Sequence, residues 1–249
     1  CQMEVVAVLD VGKTNLKLLA IDRSGTVHDT ITRPNASIAG PPYLHVDLAG
    51  IEAWLLDALA ALGRRHAIGA IVASAYGSSG VLVDADGPVL PMVDYEIDCP
   101  RWLDEAYAAE EPAFGETFCA TGAGMQRLTK QLLWLEHEWP DAFARGRHLL
   151  GAPQYWAWRL SGVAASELTT LGAQTHLWNP LARDFTAVTK RRGWDRLVPP
   201  RAPAWASLGS LRPELARRTG RSPSVEVLCG IHDSNANWYR YRAAGLSDI

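Results

Sequence analysis

The sequence predicts an α/β fold built on a mixed sheet, and three observations carry that reading. The first is a set of short apolar runs near the start, "VVAVLDVG", "LKLLAID" and "TVHDTITR", which read as a strand, a hairpin turn and two more strands. The second is a change to helical periodicity from residue 99 onward. The third is "VEVLCG", a late apolar run of strand length that returns to the sheet and leads into a helix start, "IHDSNANWYRYRAAG". Between these, "RPNASIAGPPYLHVD" reads as a Pro-, Gly- and Asn-rich loop. "DLAGIEAWLLDALAALGRRH" reads as an amphipathic helix capped by Asp47, with Ile51, Trp54, Leu55, Ala58, Leu59 and Leu62 on its apolar stripe. "AIGAIVASAYG" has the continuous apolar character of a central strand covered on both faces. "GVLVDADGPVLPMVD" reads as a hairpin turning at "DADG". The helical part is clearest at "PRWLDEAYAAE", "GMQRLTKQLLWLEHEW", "APQYWAWRLSG" and "PELARRTG", which together form an insertion before the returning strand.

Composition narrows the function classes. The 249 residues suffice for a full-sized core, and 48% hydrophobic with 20% charged residues is ordinary for a globular chain. A net charge of −3 without a basic block gives no footing for nucleic acid or an anionic membrane surface. No apolar stretch approaches the ~18 residues of a membrane span, and no signal-peptide pattern opens the chain. "CQ" before Met3 reads as a processing remnant. Cysteines 1, 99, 119 and 229 form no C-x-x-C and stand beside no histidine at ligand spacing, so free thiols in a reducing cytoplasm are expected. Most of the ten tryptophans are expected as core or surface anchors. The sequence leaves room for a homo-oligomer without naming its state.

Three stretches carry candidate chemistry. "LDVGKTNLKLLAIDRSG" contains "GKT", but a phosphate loop of the G-x-x-x-x-G-K type needs a glycine at position 7, where Ala7 stands, and a helix after it, where a strand follows. It reads instead as a hairpin turn in which Gly12 lets backbone N–H groups approach an anion. Thr14 and Asn15 add neutral donors, Lys13 or Lys17 adds charge, and Asp10 can hold Mg²⁺ through water. The plain alternative is a glycine turn with surface lysines. In "CGIHDSNAN", His232 and Asp233 fall where a strand turns into a helix, a position from which a carboxylate can take a proton from a bound hydroxyl. Its plain alternative is helix capping by Asp233 or Ser234. In "ASAYGSSGVLVDADG", Gly77 and Gly80 follow a buried strand, where main chain can meet a polyol or simply enter a hairpin.

These pieces, in this order, resemble the FGGY family of carbohydrate kinases. "DVGKTNLK" is similar to that family's first phosphate motif, D-x-G-[TS]-[TS]-x-x-[KR], with Lys13 where Thr or Ser is usual. "AYGSSGVLVDADGPVLP" followed by "DCPRW", and the helical stretch "GAGMQRLTKQLLWLEHEWPDAFARGRHLLGAPQYWAWRLSG", resemble rhamnulokinases and L-fuculokinases. "CGIHDSNAN" is similar to the G-x-H-D-[TS] segment that carries the catalytic base. The resemblance implies the actin-like, ribonuclease-H-like ATPase fold, with residues 1–245 as the N-terminal sugar-binding domain and the ATP-binding C-terminal domain absent from this chain. It implies ATP-dependent phosphorylation of a ketose such as L-fuculose, L-rhamnulose or xylulose, with Asp233 as general base. His232 and Gly77 would contact the sugar, and Asp10 would hold Mg²⁺. Gly12, Lys13, Thr14 and Asn15 would face the ATP phosphates. The rival expectations are a sugar-binding or regulatory module without kinase activity, and an actin- or chaperone-like ATPase on the same fold.

Overall fold

The computed structural model describes residues 4–246; Cys1 and Met3 lie outside them. Three strands open the chain as an antiparallel meander, β1 (Glu4–Val11), β2 (Asn15–Ile21) and β3 (Val27–Pro34). The expected loop that follows contains two short paired strands, β4 (Ser37–Ile38) and β5 (His45–Val46). Its Pro and Gly content hid a pairing of only two residues per strand. Helix α1 (Leu48–Arg65) then begins as its sequence predicts, with the Asp47 side chain accepting from the Gly50 N–H at 2.8 Å. Arg64 and Arg65 in its last turn suit the negative end of the helix dipole.

Strand β6 (Ala67–Ala75) lies at the centre, parallel to β1. After it come β7 (Gly80–Val83), α2 (Arg101–Ala108), α3 (Phe114–Thr117), α4 (Leu128–Glu138), α5 (Pro140–Ala144), β8 (His148–Gly151) and α6 (Ala152–Ser161). The expected hairpin around "DADG" is corrected by this arrangement. Val83 meets Pro88 in a single bridge, but the ladder partner of β7 is β8, more than sixty residues on. The turn forms locally, with Asp84 Oδ1 accepting from the N–H groups of Asp86 and Gly87, while Pro88 and Pro91 cannot donate to a continuing ladder.

The insertion continues through α7 (Leu168–Ala173), β9 (Trp178–Asn179), β10 (Asp184–Phe185) and α8 (Ala187–Arg192). The chain then returns through β11 (Ser207–Ser210), α9 (Pro213–Thr219), β12 (Glu226–Leu228), β13 (Ile231–His232) and α10 (Asp233–Ala243). The main sheet runs β11-β12-β6-β1-β2-β3, and β13 also pairs with β6. The break between β12 and β13 falls at Gly230, whose φ of 89° favours glycine and where an added Cβ would stand 2.7 Å from the Ala73 carbonyl oxygen.

One face of this sheet is covered. Ala7, Leu9, Leu18 and Ile71 share a buried cluster with Leu55, Leu59 and Leu62 of α1 and Trp156 of α6. Each such leucine contributes roughly 1.5–3 kcal/mol by burial. A second cluster, including Leu103, Leu132, Trp134 and Trp194, holds the helical insertion together. The expectation of a doubly covered β6 is corrected: alternate residues Val72 and Ser74 are only half-buried, as are Val6, Val8 and Asp10 of β1 beside them. That half-open face is apolar for most of its length and turns acidic at its C-terminal end.

Candidate active site

Register brings the separated motifs together. Asp10 of β1 pairs with Ser74 of β6, and Ser74 pairs with Ile231 of β13. One step further, Val11, Ala75 and His232 are in line. The ends of three parallel strands therefore deliver Asp10, Gly77 and the His232–Asp233 pair to one edge, the place where open α/β sheets meet their ligands.

The hairpin between β1 and β2 is tight. The Gly12 N–H donates to the Asn15 carbonyl at 3.0 Å, and a Cβ on Gly12 would stand 2.9 Å from that same oxygen. Asn35 buttresses the turn from outside, its Nδ2 donating to the Gly12 carbonyl at 2.9 Å and its N–H to the Thr14 carbonyl at 2.9 Å. Thr14 and Asn15 are exposed, with Asn15 Nδ2 donating to Thr14 Oγ1 at 3.2 Å. The half-exposed Asp10 carboxylate has Lys17 Nζ at 3.5 Å across the ladder. The turn thus presents a carboxylate, a hydroxyl and an amide in a row, all hard oxygen or N–H groups suited to a hydrated Mg²⁺ and phosphate oxygens. Among the described residues no group of three or more His, Cys, Asp or Glu side chains gathers to hold a metal by itself.

Lys13 is tied to the loop at 94–96. Its ammonium rests on the Asp94 carboxylate, lies 3.5 Å from Glu96 Oε2 and sits 5.2 Å from the centre of the Tyr95 ring. Asp94 is buried and also accepts from Ser37 Oγ at 2.5 Å and the Glu96 N–H at 3.0 Å. Burial pushes its carboxyl upward, but the hydrogen bonds from Lys13, Ser37 and Glu96 outweigh that and leave it below the usual carboxylate range.

On the other side, β13 passes directly into α10. His232 occupies the cap position without a side-chain cap bond, so neither Asp233 nor Ser234 closes the helix in the expected way. Asp233 Oδ1 accepts from the N–H of its neighbour Ser234 at 2.6 Å, and its Oδ2 has no protein donor among the described residues. The carboxylate is about a third exposed, with His232 Nε2 3.4 Å from Oδ1. Thr169 Oγ1 accepts from the His232 N–H at 3.1 Å, and Asn235 Oδ1 faces Nδ1 at 2.6 Å. With that oxygen as acceptor, the ring proton sits on Nδ1, and Nε2 is left as an acceptor. Gly77 lies against this ring: a Cβ there would come within 2.9 Å of both Cδ2 and Nε2.

Two tyrosines join the halves. The rings of Tyr76 and Tyr95 meet edge to face at 5.3 Å. Burial raises both phenols above their ordinary range, and the nearby Asp94 and Asp233 charges push the same way. Behind the first turn of α10, a mostly apolar cleft of about 570 Å³ runs over the half-open sheet face between Val72, Thr169, Trp205, Ile231 and Trp238. It touches the site through Thr169 and Asn235, the two partners of His232.

Sequence reasoning singled out Asp10, Gly12, Lys13, Thr14, Asn15, Gly77, His232 and Asp233, and the fold gathers them along one edge in two groups, the hairpin and the β13–α10 junction. It missed Asp94, Ser37, Tyr95, Thr169 and Asn235. An acid directly after the apolar "PMV" was a legible signal for Asp94. Nothing local marked Thr169, which reaches His232 only through the fold of the insertion.

This architecture is the actin-like, ribonuclease-H-like ATPase fold. Within it, the chain belongs to the FGGY family of carbohydrate kinases: that family's N-terminal domain matches residues 5–238. It is similar to the L-fuculokinase of Salmonella typhi, 26% identical over 250 residues, which cover 94% of this chain and 51% of that protein. The L-fuculokinase of Escherichia coli K12 is likewise 26% identical over 251 residues. Among solved structures, a carbohydrate kinase from Novosphingobium aromaticivorans is 33% identical with a TM-score of 0.94, and the match covers all of this chain and 53% of that one. A xylulose kinase from Lactobacillus acidophilus, at 16% identity and a TM-score of 0.81 over 94% of this chain and 49% of its own, shares the fold. The chain spans about half the length of these curated relatives. Among the described residues no helix is long and apolar enough to cross a membrane.

Proposed function

We propose that this chain is the sugar-binding domain, residues 1–245, of an ATP-dependent kinase that phosphorylates a neutral ketose, with the adenine pocket in a second domain. The observation that carries the reading is the register Asp10↔Ser74↔Ile231, which sets an acidic phosphate-side turn and the open Asp233 carboxylate on the same strand ends. L-Fuculose, L-rhamnulose and xylulose are the substrates in contention.

The sugar would lie against Gly77, with His232 Nε2 accepting from one hydroxyl. Asp233 Oδ2 would accept the proton of the attacking hydroxyl, while Oδ1 stays fixed by the Ser234 N–H. Gly12, Thr14 and Asn15 would meet the ATP phosphates, with the Lys13 ammonium beside them. Asp10 would hold Mg²⁺ through water, and a bound Mg²⁺ supplies neutralisation of phosphate charge.

In the full-length protein, Asp233→Asn is expected to lower turnover by about 10²–10⁴, the usual contribution of a positioned base, with sugar affinity nearly intact. Near-normal turnover would remove Asp233 from that role. Thermal shift with a sugar panel identifies the substrate, since a ligand at 100 times its Kd adds about 2.7 kcal/mol of stability. ATP hydrolysis indifferent to every sugar would favour a chaperone-like ATPase instead.

A further inference from the structure

We propose that Asp94 is a positioning residue: its buried carboxylate aims the Lys13 ammonium at the seam between the phosphate turn and the sugar side of the site. The inference rests on the kinase reading above and adds a residue that reading does not contain.

A lysine on an exposed turn would ordinarily sample many rotamers. Lys13 is not left to do so. Asp94 is 2% exposed, and Lys13, Ser37 and the Glu96 N–H all converge on its carboxylate. An exposed ion pair contributes little, whereas a buried carboxylate with all its donors in place fixes its partner, because moving the partner away strands a charge. The Lys13 side chain stays 26% exposed. An ammonium has three donors, and with Asp94 and Glu96 taking two, the third remains for an oxygen arriving at the turn.

The contacts are continuous from one side of the site to the other. Asn35 holds the Gly12 and Thr14 carbonyls, and Ser37, two residues on, holds Asp94. Lys13 lies over Tyr95, Tyr95 meets Tyr76, and Tyr76 precedes Gly77, which packs on His232. Loss of Asp94 would leave the sugar contacts at Gly77 and His232 in place and release the cation at the phosphate turn. The effect should therefore appear with the nucleotide and not with the sugar.

The test is steady-state kinetics on the full-length protein with Asp94→Asn, Lys13→Thr and the double variant. Asp94→Asn is expected to raise the KM for ATP by about tenfold, the loss of one charge-assisted contact, with the sugar KM within about twofold. In the Lys13→Thr background the same change should move the ATP KM by less than about twofold, since its target is already gone. An unchanged ATP KM in Asp94→Asn overturns the proposal, as does an equal loss in both backgrounds. Should Asp94→Asn fail to fold, Ser37→Ala removes one support of the carboxylate. A smaller rise in ATP KM that vanishes without Lys13 supports the proposal, and no rise overturns it. Wild-type protein that phosphorylates no sugar removes the kinase reading and this inference with it. Wild-type turnover with an unmoved ATP KM in the variants removes only the role of Asp94.

Discussion

Gly77→Ala tests the packing of the sugar side most directly. Its backbone is in no special conformation, so the substitution acts through contact alone. The added methyl would stand 2.9 Å from His232 Cδ2 and Nε2 and 3.2 Å from the Ala173 Cβ. Reaching the ~3.5 Å of an ordinary carbon contact requires the ring to recede by about 0.6 Å. The ring is not free to do so, because Nδ1 is held by Asn235 at 2.6 Å and the backbone N–H by Thr169 at 3.1 Å. Overpacking of this kind costs roughly 1–3 kcal/mol. At about 2–4 °C per kcal/mol for a chain of this size, the unfolding midpoint should fall by roughly 2–12 °C. Displacing His232 should also weaken catalysis by about tenfold or more through misplacement of the bound sugar. Thermal unfolding of the domain, with sugar titration and turnover of the full-length protein, reads both effects. A midpoint within 1 °C of wild type together with normal turnover would refute the argument that Gly77 and His232 form one packed wall.

Other consequences follow from the same geometry. Gly12→Ala places a methyl 2.9 Å from a backbone oxygen that closes the hairpin, so it should lower ATP affinity more than sugar affinity, measurable by comparing the two KM values. Asp47→Ala removes the cap of α1 and should cost about 1 kcal/mol in chemical denaturation. Asp94, held below its unfolded value, contributes stability that is complete above an unfolded pKa of about 3.9 and is lost as pH falls through the folded one. The stability gap between wild type and Asp94→Asn should therefore be full at pH 6–7 and close below about pH 4, and a gap independent of pH would contradict the ion pair.

Much of the fold was legible because it is written in local patterns. The opening meander, the capped helix α1, the principal helices of the insertion and the late strand leading into α10 are each set by periodicity, a capping residue or a turn within a few positions. Apart from the two-residue β4–β5 pairing, the misses were long-range. Across its own turn β7 makes only a short closure, with the Val83–Pro88 bridge and the Val89 N–H donating to the Leu82 carbonyl; its ladder partner lies at 148–151, and no local pattern encodes a pairing over sixty residues. The second face of β6 read as buried because its residues are apolar, yet Val72 and Ser74 face a half-open cleft.

The candidate site divides the same way. "DVGKTNLK" and "CGIHDSNAN" announce a turn with a carboxylate and a strand-to-helix junction with another, since glycine marks the turn and the acid beside it is read directly. Their meeting is decided by β6, which pairs β1 on one side and β13 on the other and so brings residues 10 and 233 to one edge. The lysine of "GKT" was readable as a charge on a turn, but its direction was not. The buried Asp94 ties it to the loop at 94–96, and burial is a property of the packed chain that no stretch of sequence carries alone.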